Sequence, residues 1–173
     1  SVSDQGQATT FLVIGYGNLG RLDEGLGPRL ADLLEPLASD SITIDSDYQL
    51  QVEYADAVSH HDVVVFVDAA VSGREPFYVE EVTPVSGVSF SSHSLGPAET
   101  LGLARDLFKA RTRGFVVGIR GYEFNEFGER LSEKAQANLA RAKEFLESVL
   151  KGGSVKGLEQ EAAASAERES PAA

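Results

Sequence analysis

An uninterrupted apolar run that stops at a pair of glycines leaves a chain few ways to continue. Here Phe11-Leu12-Val13-Ile14 runs into Gly15-Tyr16-Gly17-Asn18, and then into Asp23-Glu24-Gly25-Leu26-Gly27-Pro28. The first segment has the β-branched, apolar character of a strand buried on both faces. The glycines permit backbone conformations and close approaches that other residues resist. Pro28 suits the first turn of a helix. Leu26, Leu30, Leu33, Leu34 and Leu37 follow at helical spacing and supply one apolar face. A strand, a tight turn and a helix are therefore expected, with Asp23 and Glu24 at the junction. In open α/β sheets ligands bind at that edge. Acids before a helix also serve as simple caps, so position alone leaves both readings open.

The rest of the chain repeats this alternation. A second strand is expected through residues 41–50 and a helix through 51–59. Val63-Val64-Val65-Phe66-Val67 is a third apolar run, ended by Asp68. Residues 77–82 alternate as an edge or antiparallel strand, and 83–95 read as a loop containing His93. Pro97 opens a helix, Phe115-Val116-Val117-Gly118-Ile119 forms another buried strand, and Leu131 to Leu150 trace a long amphipathic helix. The expected fold is an α/β three-layer sandwich: a mainly parallel, twisted sheet of about five strands with helices on both faces. The expected organisation is a flexible N-terminus over 1–10, a single α/β domain over 11–151, and a disordered tail over 152–173. The tail is expected from its Gly152-Gly153 start and its Ala, Glu and Ser content, with at most a helical turn near Glu159–Ala166.

Composition narrows the function. Fifteen Lys and Arg against 27 Asp and Glu leave a net charge of −12, which disfavours nucleic acid or an anionic membrane as partner. The absence of cysteine removes thiolate nucleophiles, Cys-held metals and disulfides. No apolar run is long enough to span a bilayer and residues 1–10 are polar, so the cytoplasm is the expected compartment. Gly15, Gly17 and Gly20 fit a G-x-G-x-x-G pattern, which keeps open a nucleotide- or phosphate-binding regulatory module. The acids at 23 and 24 suit a cation better than a phosphate. No Gly-x-Ser-x-Gly nucleophile elbow occurs. Asp68 at a strand end is costly unless it reaches water, a partner or a metal, and a lone loop histidine such as His93 is commonly structural or solvated. Glu24, Asp68 and His93 together form an O/N ligand set suited to a first-row divalent metal, although spacing alone does not bring them together.

The sequence resembles the hydrogenase maturation endopeptidase family, whose pattern is G-x-G-N, four residues, then D-D/E-G-x-G. Residues 15–27 match it throughout. The segment VVVFVDAAVS (63–72) is similar to the family's second motif, and SSHSLGPAETLGLARDLF (91–108) to its third. GYEFNEFGERLSEKAQANL (121–139) resembles the C-terminal region of G-E-x-L-S type. Where many members carry a glycine-rich turn after the second strand, this chain reads Asp45 to Leu50, followed by Glu53. The resemblance implies an endopeptidase that removes the C-terminal extension of a [NiFe]-hydrogenase large-subunit precursor once nickel is inserted. It implies that Glu24, Asp68 and His93 are the metal contacts and the catalytic residues. The nickel implied is the substrate's, and the implied partner is the nickel-loaded precursor.

Overall fold

The computed structural model describes residues 8–87 and 95–169. Five strands form one sheet: β1 (Phe11–Tyr16), β2 (Ile42–Asp47), β3 (Val63–Ala70), β4 (Phe77–Val82) and β5 (Arg113–Arg120). Their order is β2-β1-β3-β5-β4, parallel throughout except that β4 runs antiparallel to β5 at one edge. Five helices cover it: α1 (Leu26–Leu34), α2 (Tyr54–Ser59), α3 (Pro97–Phe108), α4 (Glu133–Gly152) and α5 (Lys156–Glu169). This is the three-layer α/β sandwich expected from the alternation of apolar runs.

Side-chain alternation along the strands divides the core in two. Phe11 and Val13 of β1, Val65 and Val67 of β3, and Phe115 and Val117 of β5 face α1, α4 and α5. Leu12 and Ile14 of β1, with Val64 and Phe66 of β3, face α2 and α3. The three central strands are buried on both sides, which is why they read as continuous apolar runs. β2 is an edge strand with only alternate partial burial, and its sequence is correspondingly interrupted by polar residues.

Two boundaries differ from the expectation. Residues 51–53 form a turn, so α2 is only the six residues Tyr54–Ser59. The expected tail beyond residue 151 is not unstructured where it is described: Lys156–Glu169 is a helix of 14 residues. Gly153, at φ 64°, ends α4 in the left-handed conformation that favours glycine and turns the chain back. Leu158 is then fully buried in the α1/α4 core, and Ser165 Oγ accepts from the Val79 N–H of edge strand β4. Arg74 donates to Glu161 and Ser165, and Arg113 to Glu159. The Ala/Glu-rich composition belongs to an amphipathic cover over an exposed strand edge, and one buried leucine with a few polar ties fastens it.

Candidate functional site

The C-terminal ends of the four parallel strands share one edge of the sheet, and the glycine-acid motif is built across it. A 3-10 turn, Leu22–Gly25, leads straight into α1. Two glycines let this turn settle against the strand ends. A Cβ on Gly17, whose φ is +147°, would lie 2.2 Å from the Glu24 carbonyl oxygen. A Cβ on Gly27 would lie 2.4 Å from the Tyr16 carbonyl and 2.5 Å from that of Val67. The pattern is therefore steric: it presses the first turn of α1 onto β1 and β3, and Glu24 stands where they meet.

Asp23 and Glu24 are adjacent but sit in opposite surroundings. Asp23 is fully buried. Its carboxylate accepts from the N–H groups of Tyr122 (2.8 Å), Glu123 (3.0 Å) and Ser132 (2.8 Å), and from Ser132 Oγ (2.6 Å). Burial acts to raise its pKa, but the donors, led by the Ser132 hydroxyl, hold it below the usual aspartate value. Ser132 Oγ in turn accepts from Ala135 N–H and caps α4. Gly128 accepts from Leu22 N–H and donates to Gly20, so residues 128–132 are clasped to the first motif. Leu22 adopts φ 52°, uncommon for a leucine, within this clasp.

Glu24 remains accessible. Its side chain is 40% exposed, with Arg21 4.0 Å away as a loose ion-pair partner. Asp68, at the end of β3, stands close enough for Glu24 to raise its proton affinity. Burial is the main cause that pushes Asp68 up to about 6, opposed by the Ala69 N–H and the Tyr16 hydroxyl. The Ala69 bond is 2.8 Å. Tyr16 follows Gly15, which pairs with Val67, so the phenol and the carboxylate are neighbours on the α2/α3 face. Burial and the Asp68 charge together push the Tyr16 phenol far above its ordinary value, so it stays a proton donor. On the far side of Asp68 lies Gly118, which pairs with both Asp68 and Tyr78. A Cβ there would fall 2.2 Å from the Tyr78 ring, so the glycine gives that ring its place on the sheet.

Of the three residues singled out from the sequence, the fold thus brings Glu24 and Asp68 to one edge. His93 lies outside the described residues. Among the described residues no group of three or more His, Cys, Asp or Glu side chains could hold a metal ion. Sequence reasoning did not single out Tyr16 or Ser132. Tyr16 was detectable in principle, since it lies two residues beyond Ile14 as Asp68 lies two beyond Phe66. Ser132 carried no such signal, because its partnership with Asp23 spans 109 residues.

Carboxylates at the strand-end edge of a mainly parallel sheet define an α/β protein with its site in the usual position for that class. No protein-family model matches the sequence. It is 28% identical over 144 residues to the hydrogenase expression/formation protein HupD of Thiocapsa roseopersicina, covering 78% of this chain. The chain spans 65% of that protein's length. Among solved structures it is similar to the [NiFe] hydrogenase maturation protease HycI from Thermococcus kodakarensis, with TM-score 0.65 and 21% identity over 83% of this chain and 94% of that one. It is also similar to the hydrogenase maturating endopeptidase HybD from E. coli, with TM-score 0.59 and 22% identity over 83% and 93% of the two chains. These structures share its fold. With the four ordered motifs and the similarity to HupD, the chain resembles the hydrogenase maturation endopeptidase family.

Proposed function

We propose that this protein is an endopeptidase that removes the C-terminal extension of a [NiFe]-hydrogenase large-subunit precursor after nickel insertion. The observation that carries the reading is the meeting of Glu24 and Asp68, from different motifs, at one accessible edge. In this reading Glu24, Asp68 and His93 contact nickel already held by the precursor's cysteines. Discrimination then follows from coordination. With nickel present, the three side chains have a metal to bind; without it, the central anchor is missing. Empty precursor is ignored for that reason.

Hydrolysis needs a water whose oxygen adds to the scissile carbonyl carbon while its proton is taken up. Whichever of Glu24 and Asp68 is not engaged by the metal accepts that proton. The proton passes to the amine as the C–N bond breaks. Tyr16 and Ala69 N–H hold the Asp68 carboxylate in place.

The test is the intact mass of nickel-loaded and nickel-free precursor after incubation with the wild-type protein and with E24Q, D68N and H93A. Release of a C-terminal peptide is expected only from loaded precursor and only with the wild-type ligands. Normal cutting by the three variants would remove the site assignment, and an uncut loaded precursor would remove the activity.

A further inference from the structure

Nine large apolar side chains are exposed among the described residues, and five of them, Leu19, Tyr48, Val52, Val71 and Phe127, lie in the segments that follow β1, β2, β3 and β5. All four of those strands end at the edge that carries Glu24 and Asp68. The exposures are large where they matter most: 81% for Phe127, 70% for Val71 and 64% for Tyr48. Exposed large apolar side chains grouped on one side of a molecule mark an interaction surface more often than they mark chance. Phe127 is also joined to the candidate site. The Arg21 guanidinium lies 4.7 Å from its ring centroid and 4.0 Å from the Glu24 carboxylate.

Charge at this edge points to one kind of partner. Glu53, Glu75, Glu123, Glu126 and Glu129 are exposed in the same segments, against the exposed Arg130 and the half-buried Arg21 and Arg74. The span points to its size. Four strands at a spacing of about 4.8 Å place these segments across about 15 Å, a contact that about five extended residues of a partner would span. We propose that this apolar and acidic rim docks a basic and apolar face of the precursor, so that the precursor is recognised by that face as well as through its metal. This rests on the proposed function and adds to it the surface that supplies affinity.

The fold also provides a control. Leu107 and Phe108, 58% and 47% exposed, lie beside Lys109 and Arg111 just before β5, at the opposite end of the sheet.

The experiment measures KM and kcat for nickel-loaded precursor with the wild type, Y48A, the double variant V71S/F127S, and the control L107S/F108S. All five changed rim or control sites are exposed, so thermal midpoints should stay within a degree or two of the wild type. The rim variants should raise KM about tenfold with kcat changed less than twofold, as loss of a few interface anchors does. The control should leave both constants unchanged, and added salt should raise KM for the wild type. An unchanged KM in both rim variants overturns the docking surface, as does an equal rise in the control. Cleavage of a short peptide spanning the scissile bond with the KM of the whole precursor shows that no contact beyond the cleavage site adds affinity, and overturns the docking surface. If the wild type leaves loaded precursor uncut, the proposed function itself fails and the docking surface falls with it.

Discussion

Replacing Asp23 with alanine should cost this protein more stability than any exposed substitution at the same edge. Its two oxygens accept four hydrogen bonds at a fully buried position, three of them from backbone N–H groups. Alanine leaves those donors without a partner, each worth about 1–3 kcal/mol when buried. Entry of water into the vacated space recovers part of this, so the expected loss is about 3–5 kcal/mol. That is a large share of the total of about 5–15 kcal/mol for a domain, yet it leaves a folded state to measure. Urea unfolding followed by circular dichroism reads it directly. With m near about 2 kcal/mol per molar, the midpoint should fall by about 1.5–2.5 M. D23N should fall between, because its single carbonyl oxygen satisfies one side of the cluster while its NH2 faces a donor on the other. The pH dependence has a definite sign. Asp23 is held below its usual 3.8 in the folded protein, so its ionised form stabilises the fold above that pH. The advantage of the wild type over D23N is lost as pH falls from 3.8 through the lower folded value. A loss below about 1 kcal/mol in D23A would refute the idea that this carboxylate ties residues 121–132 to the first motif.

Two further outcomes follow from the same structure. L158A should lower stability by about 2–4 kcal/mol in the same urea assay, because Leu158 is fully buried; a neutral effect would mean that α5 does not pack. Asp68 carries the opposite linkage from Asp23. Its folded value of about 6 lies above its usual 3.8, so its ionisation costs stability increasingly between those values and fully above about pH 6. D68N should therefore be more stable than the wild type at pH 7.5 by about 1 kcal/mol, after discounting for its partial exposure, with the gain gone below pH 4; a D68N protein less stable at pH 7.5 would contradict this.

Much of the architecture is legible along the chain because burial on both faces forces unbroken apolar runs. Residues 11–14, 63–67 and 115–119 had to be central strands, and the alternation at 77–82 belonged to an edge. The antiparallel direction of β4 is also consistent with the short connection from Ala70 to Phe77, which leaves no room for a crossover helix. The reading failed where order comes from contacts rather than composition. Residues 156–169 have little apolar character of their own, and their helix is held by Leu158, by Ser165 on the β4 edge, and by ion pairs to Arg74 and Arg113.

The candidate site divides the same way. By itself the sequence determined where backbone must approach backbone, because only glycine leaves space at 17 and 27, and it marked which strand ends bear acids. It could not name the partners that set Asp23 apart from Glu24. Those were decided by the tertiary structure, which swings residues 121–132 over the first motif. One carboxylate is surrounded there by backbone donors and its neighbour is left facing solvent beside Asp68. Tyr16 acquires its role only when β1 and β3 lie in register, since a phenol becomes a carboxylate's hydrogen-bond donor through proximity across strands. Local chemistry is written residue by residue, whereas the electric environment of each residue comes from partners distant in the chain.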